Sequence, residues 1–257
     1  MSQYYTGKRT KNLFEAGSKE PFRLSRSKIE RFLNCPRCFY LDRRLGVDQP
    51  PGYPFSLNAA VDKLLKKEFD AYRLKQSKHP FLETYDVDAV PFEHPLIDEW
   101  RETLKGLQYY HEPSGFLVTG AVDDIWQNST GELHVVDYKA TSKNGEVNID
   151  AEWQKSYKNQ MEVYQWLLRH QKDGFKVSPI GYFVYVNGRT DLEAFDKKLE
   201  FDVKVILYEG DDSWVEQALM DARKCLESDK LPSASKDCDY CLYRKSIRDV
   251  LPKSIAP

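Results

Sequence analysis

The chain has 257 residues, 41% of them hydrophobic, and a formal net charge of −2. This composition excludes a long disordered chain, and the near-neutral charge does not by itself indicate nucleic-acid binding. No apolar stretch reaches the ~18 residues of a membrane helix and no secretory signal is recognisable, so we expect a soluble, cytoplasmic protein.

Positive charge is concentrated near the amino terminus. Residues 1–45 contain eleven Lys or Arg and four acidic residues, a net +7, so the remaining residues carry about −9. A basic run of this kind is either a solvated face or an arm that follows a phosphate backbone.

The first predicted helix leads into a pair of cysteines. Ser27 and Glu30 have the spacing of a capping box, which predicts a helix start. Pro36 discourages continuation of this helix, so the sulfurs of Cys35 and Cys38 become available to one metal ion.

A second helix, predicted over residues 56–73, carries an acid at the border of its apolar face. The residues predicted to point inward are Leu57, Val61, Leu64, Leu65, Phe69 and Tyr72. Asp62 lies beside this face, and a carboxylate there needs a partner. That partner is either a metal ion or a salt bridge.

The chain is organised around a predicted β-hairpin. Residues 117–126 and 132–141 are rich in β-branched and aromatic side chains, and residues 128–131 have the composition of a tight connection. An odd connection centred on Thr130 places Asp123 opposite Asp137, whereas an even connection without a bulge separates them.

The hairpin gathers charged side chains. Asp137 and Lys139 project from one face because side chains alternate along a strand. Asp123 and Asp137 would repel each other unless a cation lay between them, which predicts a Mg²⁺ or Mn²⁺ site. Lys139 could then orient the attacking water or neutralise charge on the phosphorus centre. A lone Asp-x-Lys, in contrast, is usually an ordinary strand end with a solvated ion pair.

The predicted elements after the hairpin complete an α/β fold. A helix predicted from Asp150 onward carries Gln160 and Tyr164 one turn apart on the same face. The other predicted elements are a helix at residues 99–110, strands at 180–186 and 199–208, and a closing helix at 212–227. We therefore expect a central mixed β-sheet flanked by helices.

The cysteines predict a metal centre. Five cysteines, an odd number, fit metal ligation in a reducing compartment better than a disulfide framework. Cys238 and Cys241 form a second C-x-x-C, and with Cys35 and Cys38 they predict one site that joins the two ends of the chain. The ligand number permits either Zn²⁺ or an iron–sulfur cluster. Cys225 is predicted to be a packed core thiol.

The hairpin resembles the metal-binding core of the PD-(D/E)XK nuclease superfamily, in its RecB-like branch. The resemblance rests on residues 120–123, residues 135–139 and a Gln-x-x-x-Tyr motif about twenty residues later, and it covers most of the chain. The implied roles are metal ligation for Asp123 and Asp137, catalysis for Lys139, and positioning of the site and the DNA strand for Gln160 and Tyr164. Asp124 has no role in the family pattern.

Two features depart from that pattern. RecB-like nucleases usually have a metal-binding histidine where this chain has Asp62, which leaves the two interpretations of Asp62 open. The RecB-like group includes iron–sulfur nucleases, among them CRISPR-associated ones, which usually have one cysteine upstream and three downstream, whereas this chain has two and two. The resemblance favours a structural [4Fe-4S] cluster, with Zn²⁺ as the alternative, bound by Cys35, Cys38, Cys238 and Cys241.

The resemblance implies a Mg²⁺- or Mn²⁺-dependent DNA nuclease with a restriction-endonuclease-like core. We expect an exonuclease that acts on DNA ends or single strands in recombination, repair, phage replication or CRISPR adaptation, where a complex could supply protein partners. The alternative is a non-catalytic DNA-end-binding or assembly subunit that retains the fold. We expect three parts: a basic arm at residues 1–23, a nuclease domain at 24–245 and a tail at 246–257. Within the nuclease domain, we expect the core at about 55–228 and a cysteine subregion formed by residues 24–45 and 229–245.

Overall fold

The predicted hairpin is part of a five-stranded sheet. Its strands are β2 (Val90–Pro91), β5 (Asp124–Gln127), β6 (Leu133–Thr141), β7 (Ile180–Gly188) and β8 (Phe201–Glu209). They lie in the order β2-β5-β6-β7-β8, with β6 and β7 parallel and the other neighbouring strands antiparallel. The helix-flanked mixed sheet confirms the predicted α/β fold class.

The computed structural model describes residues 7–50, 52 and 55–251. The chain divides into two compact units. Residues 1–53, 110–118 and 216–257 form the first unit, and residues 54–109 and 119–215 form the second unit. The start of the expected basic arm, residues 1–6, and the end of the expected tail, residues 252–257, lie outside the described residues.

The helices vary widely in length. They are α1 (Arg26–Asn34), α2 (Pro36–Arg43), α3 (Ser56–Arg73), α4 (Pro80–Thr84), α5 (Ile97–Trp100), α6 (Lys155–Arg169), α7 (Val215–Glu227) and α8 (Asp239–Val250). Within the described ranges, none of them combines the length and the apolar character that crossing a bilayer requires.

Alternation along β6 separates the core of the second unit from its polar site. Val136 and Tyr138 belong to the same apolar cluster as Leu65 and Phe69 of α3. The odd-numbered Lys139 instead contacts α6 through a hydrogen bond to Gln160. Helix α6 also supplies the crossover that the parallel pairing of β6 and β7 requires. The predicted alternation of faces along this strand is confirmed.

The first strand of the predicted hairpin is shorter than expected. Residues 117–126 do not form one strand, because β4 (Phe116–Gly120) belongs to a separate three-stranded sheet of order β1-β4-β3. The chain leaves β4 at Gly120 and enters β5 at Asp124, and between them the Val122 amide donates to the Trp100 carbonyl at 3.1 Å. The remaining strands of that sheet are β1 (Phe22–Ser25) and β3 (Leu107–His111).

Several local predictions are wrong. Residues 99–110 contain only the end of α5 and most of β3, because Gly106 adopts φ +68° in a turn that reverses the chain. Asp150 does not cap α6, since a short 3-10 turn precedes Lys155. Ser27 lies inside α1, whose N-cap is Ser25.

The apolar face of α3 is narrower than its sequence indicates. Leu57 and Leu64, both predicted to point inward, are 57% and 64% exposed. Leu65 and Phe69 are buried as predicted. The partly buried Val61 packs against their cluster.

Candidate active site and cysteine metal centre

The register of the β5–β6 hairpin places two carboxylates side by side. Gln127 pairs with Leu133 and Asp124 pairs with Val136, so the connection is odd and centred on Thr130. Continuing this register brings Asp123 opposite Asp137. The Asp123 carboxylate also accepts a hydrogen bond from the Tyr138 amide at 3.0 Å. Of the two registers that the sequence leaves open, the structure therefore has the odd one.

A chain of polar contacts runs from β6 into α6. The Lys139 ammonium forms a salt bridge with the fully buried Asp137 carboxylate. It also donates to Gln160 Oε1 at 3.3 Å, and Gln160 Nε2 donates to the Tyr164 hydroxyl at 3.2 Å. Lys139 lies 4.4 Å from the ring centroid of Tyr157, a cation–π contact. The structure thus brings together four side chains for which the sequence predicts a role: Asp137, Lys139, Gln160 and Tyr164.

Gly120 allows this helix to approach closely. A Cβ atom at Gly120 would lie 2.7 Å from the Tyr164 ring and 3.0 Å from Leu167. Any larger residue at this position would displace the part of α6 that carries Tyr164.

Asp62 and Asp123 are joined by a lysine that the sequence interpretation missed. Lys66 Nζ lies 2.9 Å from the Asp62 carboxylate and 3.2 Å from that of Asp123. Burial and the charge of Asp123 raise the pKa of Asp62. Burial alone would lower the pKa of Lys66, but the charges of Asp123 and Asp62 raise it. The i,i+4 spacing of Asp62 and Lys66 on α3 was the signal that could have identified this pair.

The two sets of contacts border one groove of about 310 Å³ in the second unit. Its lining includes Asp62 and Asp123 on one side and Lys139 and Tyr157 on the other. Burial and the charge of Asp137 raise the pKa of Tyr157, so this hydroxyl stays protonated. The polar part of the lining includes the carboxylates of Asp62 and Asp123 and the hydroxyl of Tyr157, groups that suit a hydrated cation and a polar substrate.

Asp124 faces away from this groove and has a structural role. Its buried carboxylate forms an ion pair with Arg73 and accepts a hydrogen bond from the Tyr138 hydroxyl at 2.9 Å. Burial and the charge of Asp124 raise the pKa of Tyr138 well above its ordinary value. Asp124 therefore anchors the hairpin to α3.

The order of Asp123, the Asp137-x-Lys139 motif and Gln160 along the chain matches a pattern found across a large group of enzymes. The sequence profile of the PD-(D/E)XK nuclease superfamily matches residues 23–246. This chain belongs to the PD-(D/E)XK nuclease superfamily. Membership indicates a metal-dependent nuclease and a nucleic-acid substrate. No curated protein sequence matches the chain. Its place in the RecB-like branch stays a prediction.

The donor set of this PD-(D/E)XK site fits a hard divalent cation. Asp123 and Asp137 offer only carboxylate oxygens, the ligands that Mg²⁺ and Mn²⁺ prefer. Asp123 and Asp137 are therefore the candidate ligands, with Asp62 as a third. Among the described residues these three carboxylates do not form a ligand set within 4.8 Å of one another, and the Lys66 ammonium lies between Asp62 and Asp123.

The first unit contains the predicted cysteine centre. Cys35, Cys38, Cys238 and Cys241 have sulfur atoms that all lie within 4.8 Å of one another. In the described part of the chain, no other set of three or more metal-ligating side chains is this close. Cys225 is outside the group, as predicted, and its thiol contacts the Pro36 carbonyl at 3.9 Å. Burial raises the pKa of Cys225 to about 11.

Both cysteine pairs begin a helix. Cys35 is the N-cap of α2, with Pro36 at its first position, and Cys238 is the N-cap of α8. Each C-x-x-C therefore presents its sulfurs at a helix N-terminus, where the dipole favours thiolates. Burial alone would raise the pKa of Cys35, but hydrogen bonds from the Ser235 and Cys38 backbones lower it to about 7. Burial raises the pKa of the Cys38 thiol. It also raises the pKa of the Cys241 thiol, to about 11.

Three of the sulfur separations are close to those around a single tetrahedral ion. Cys38 Sγ lies 3.5 Å from Cys238 Sγ and 3.6 Å from Cys241 Sγ, and Cys35 Sγ lies 3.9 Å from Cys241 Sγ. Four sulfurs at ~2.3 Å from one zinc ion would be about 3.8 Å apart. Four cysteines on the separate irons of a [4Fe-4S] cluster would be farther apart.

Proposed function

We propose that this PD-(D/E)XK protein is a Mg²⁺- or Mn²⁺-dependent deoxyribonuclease. The observation that supports this most strongly is the contact chain from Asp137 through Lys139 to Gln160 and Tyr164, with Asp123 opposite Asp137. An ion pair at an ordinary strand end would not require a second carboxylate and the half-buried amide of Gln160 at the same point. We retain residues 24–245 as one nuclease domain in this proposal.

Each side chain has a distinct task in the proposed reaction. Asp123 and Asp137 would hold the divalent ion, with Asp62 as a third candidate ligand. That ion would supply Lewis-acid polarisation and a lowered pKa for bound water. Lys139, held by Asp137, Gln160 and Tyr157, is positioned to neutralise charge that develops on the phosphate. Gln160 and Tyr164 keep the ammonium in place and help to position the DNA strand.

The finer assignment is a RecB-like exonuclease that acts on DNA ends or single strands. The order of the Gln-x-x-x-Tyr motif after Asp137-x-Lys139 and the cysteine pairs flanking the core support this branch. Roles in recombination, repair, phage replication or CRISPR adaptation are consistent with that activity, and the proposed location is the cytoplasm.

We further propose that the four cysteines bind one structural zinc ion. The sulfur separations of 3.5, 3.6 and 3.9 Å favour zinc over the [4Fe-4S] cluster that the resemblance implies. The proposed ligands are the four cysteines predicted from the sequence, and the proposed metal is zinc in place of the [4Fe-4S] cluster.

The alternative is a non-catalytic DNA-end-binding or assembly subunit. One observation favours it: the Lys66 ammonium lies between the carboxylates of Asp62 and Asp123, where a metal ion would compete with it. Cleavage assays distinguish these two functions.

The test is cleavage of labelled single- and double-stranded DNA in Mn²⁺. We expect the wild-type protein to cleave. The cleavage rates of Asp137→Asn and Lys139→Ala should be lower by more than about a hundredfold, because both side chains contribute to stabilising charge in the transition state. Lys143→Ala is the matched control, since Lys143 is exposed two residues beyond β6. Full cleavage by both Asp137→Asn and Lys139→Ala, or none by the wild type, would reject the enzyme.

A further inference from the structure

A groove beside the cysteine centre carries two exposed tyrosines. The groove has a volume of about 510 Å³ and is lined by residues of α2, the loop that follows it and α8. Tyr240 and Tyr243 lie on its α8 wall and are 43% and 69% exposed. Residues three apart on a helix share a face, so the two rings lie one turn apart along the same wall.

The opposite wall of the groove borders an excess of positive charge. Asp48, which lines the groove, pairs with Arg31 and lies 3.1 Å from Lys28 Nζ. The buried Asp42 lies in the same network. The cations that share these two carboxylates are Arg9, Lys28, Arg31 and Arg43. Within the described residues, these four cations share two carboxylates, a surplus of two positive charges in a network that borders the groove through Asp48.

The α8 wall adds further cations. Arg244 lines the groove beside Tyr243, and Lys245 follows it. Neither side chain forms an ion pair with a residue in the described ranges. The first unit as a whole contains 19 Lys or Arg against 13 Asp or Glu, a net +6. Exposed aromatic rings between two cationic regions are therefore a feature of the basic unit.

We infer that this groove binds single-stranded DNA. Bases would stack on Tyr240 and Tyr243, while phosphates would contact Arg244, which lines the groove, and the partly exposed Arg9 and Arg31 beside Asp48. This inference rests on the proposed nuclease function, because it assigns a second DNA contact to the same enzyme. The cysteine centre would then hold the Tyr240 wall of the groove in place, since Cys241 is the next residue.

The charge distribution decides between DNA and a peptide. An apolar peptide would need only the aromatic wall, and it would gain nothing from Arg244 or from the surplus positive charge beside Asp48. A single strand of DNA uses both features, because it presents flat bases and one negative charge per nucleotide. A rigid duplex could place phosphates near the cations, but its bases are stacked inside and cannot reach the tyrosines.

The test measures binding in the full-length chain carrying Asp137→Asn, which prevents degradation of the probe. Fluorescence anisotropy with a labelled oligothymidylate should show that adding Tyr240→Ala or Tyr243→Ala weakens binding about tenfold each. Tyr243→Phe should retain affinity, because its ring still stacks. Arg244→Gln should weaken binding and lower the slope of log affinity against log salt by about one.

The matched control is Tyr110→Ala, which removes a tyrosine of the same unit that is also 43% exposed. Metal content and melting temperature establish that each variant is folded. If Tyr240→Ala loses its metal, the test rests on Tyr243→Ala alone. The proposed binding site would be wrong if Tyr243→Ala and Tyr110→Ala both bound DNA with the parent affinity. It would also be wrong if Tyr243→Ala lost the same affinity for duplex as for single-stranded DNA. Cleavage by the wild type is scored separately, so failure of the groove and failure of the nuclease function are distinguishable.

Discussion

Lys139 is held by three different kinds of contact. It forms a salt bridge with Asp137, a hydrogen bond to Gln160 and a cation–π contact with Tyr157. A flexible lysine side chain loses rotamer freedom when it is fixed, and the three contacts offset that cost. The ammonium is consequently oriented before any substrate arrives, as electrostatic stabilisation of a transition state requires.

Asp62 differs from the other two aspartates because its nearest partner is Lys66. We expect Asp62→Asn to raise the Mn²⁺ concentration for half-maximal cleavage about tenfold, with a smaller effect on the maximal rate. The physical reason is that the amide no longer neutralises Lys66, which then competes with the metal ion for Asp123. A titration of cleavage rate against Mn²⁺ measures both quantities.

Asp123→Asn is the comparison for Asp62→Asn. It should abolish cleavage at every Mn²⁺ concentration, because it removes a proposed ligand directly. If Asp62→Asn behaved identically, Asp62 would be a full metal ligand in place of the usual histidine. If Asp62→Asn had no effect, the Lys66 contact would be irrelevant to the site.

At the scale of elements, two helix N-termini meet at the cysteine centre. Helices α2 and α8 each begin with a C-x-x-C, so each offers two sulfurs and a favourable dipole to the same ion. The two pairs are separated by about 200 residues of sequence, as in the Cys38–Cys238 contact. A metal ion that closes so long a loop restricts the unfolded chain strongly.

Cys238→Ser should therefore remove the metal and lower the melting temperature by about 10 °C or more, because structural zinc contributes directly to folding. Elemental analysis of anaerobically purified protein should find one equivalent of zinc in the wild type and little in the variant. A brown wild-type protein that absorbs near ~400 nm would instead establish the iron–sulfur cluster.

Cys225→Ser is the control for this experiment. Cys225 is a partly buried thiol of the same unit that lies outside the four-sulfur group. It should retain its metal and differ in melting temperature by only a few degrees. Equal metal content in the Cys225 and Cys238 variants would contradict the proposed centre.

At the scale of the whole molecule, charge is divided between the two units. The cysteine-containing unit has a net charge of +6, whereas the second unit has 19 basic and 27 acidic residues, a net −8. The near-neutral total thus conceals one basic and one acidic unit. Asp42 is central to the basic unit, because its buried carboxylate contacts cations from the N-terminal segment, α1 and α2.

Acid should weaken this protein partly through Asp42. Burial alone would raise the pKa of Asp42, but hydrogen bonds from Arg43 and Lys28 lower it to about 2. Because the folded pKa is below the ordinary value of 3.8, the associated stability is present above about pH 4 and is lost as the pH falls through about 2. The loss should be on the order of 2 kcal/mol in the free energy of unfolding.

Denaturant unfolding at pH 5 and pH 2.5, compared between wild type and Asp42→Asn, measures this contribution. The wild type should lose more stability between the two pH values than the variant does, while any acid-induced release of metal affects both. Asp221→Asn serves as the control, since Asp221 belongs to the same unit and is exposed. An identical pH dependence in wild type and Asp42→Asn would contradict the assignment.

The sequence by itself determined the features that short stretches encode. Alternation along residues 132–141 determined which side chains share a face. The connection around Thr130 left two registers open, and the structure has the one that sets Asp123 opposite Asp137. The two C-x-x-C spacings likewise identified the cysteines that meet. The strand alternation and the C-x-x-C spacings each depend on residues a few positions apart, so they can be recognised in the sequence without knowledge of the fold.

Only the tertiary structure decided what depends on distant residues. The strand predicted over residues 117–126 ends at Gly120 and gives way to β5 at Asp124, while Tyr164 packs over Gly120 from 44 positions further along the chain. Lys66 joins the site because α3 packs on the hairpin and carries its ammonium to Asp123. The sulfur separations that favour zinc required the two ends of the chain to meet. Such contacts are set by packing of whole elements, which local propensity and spacing do not specify.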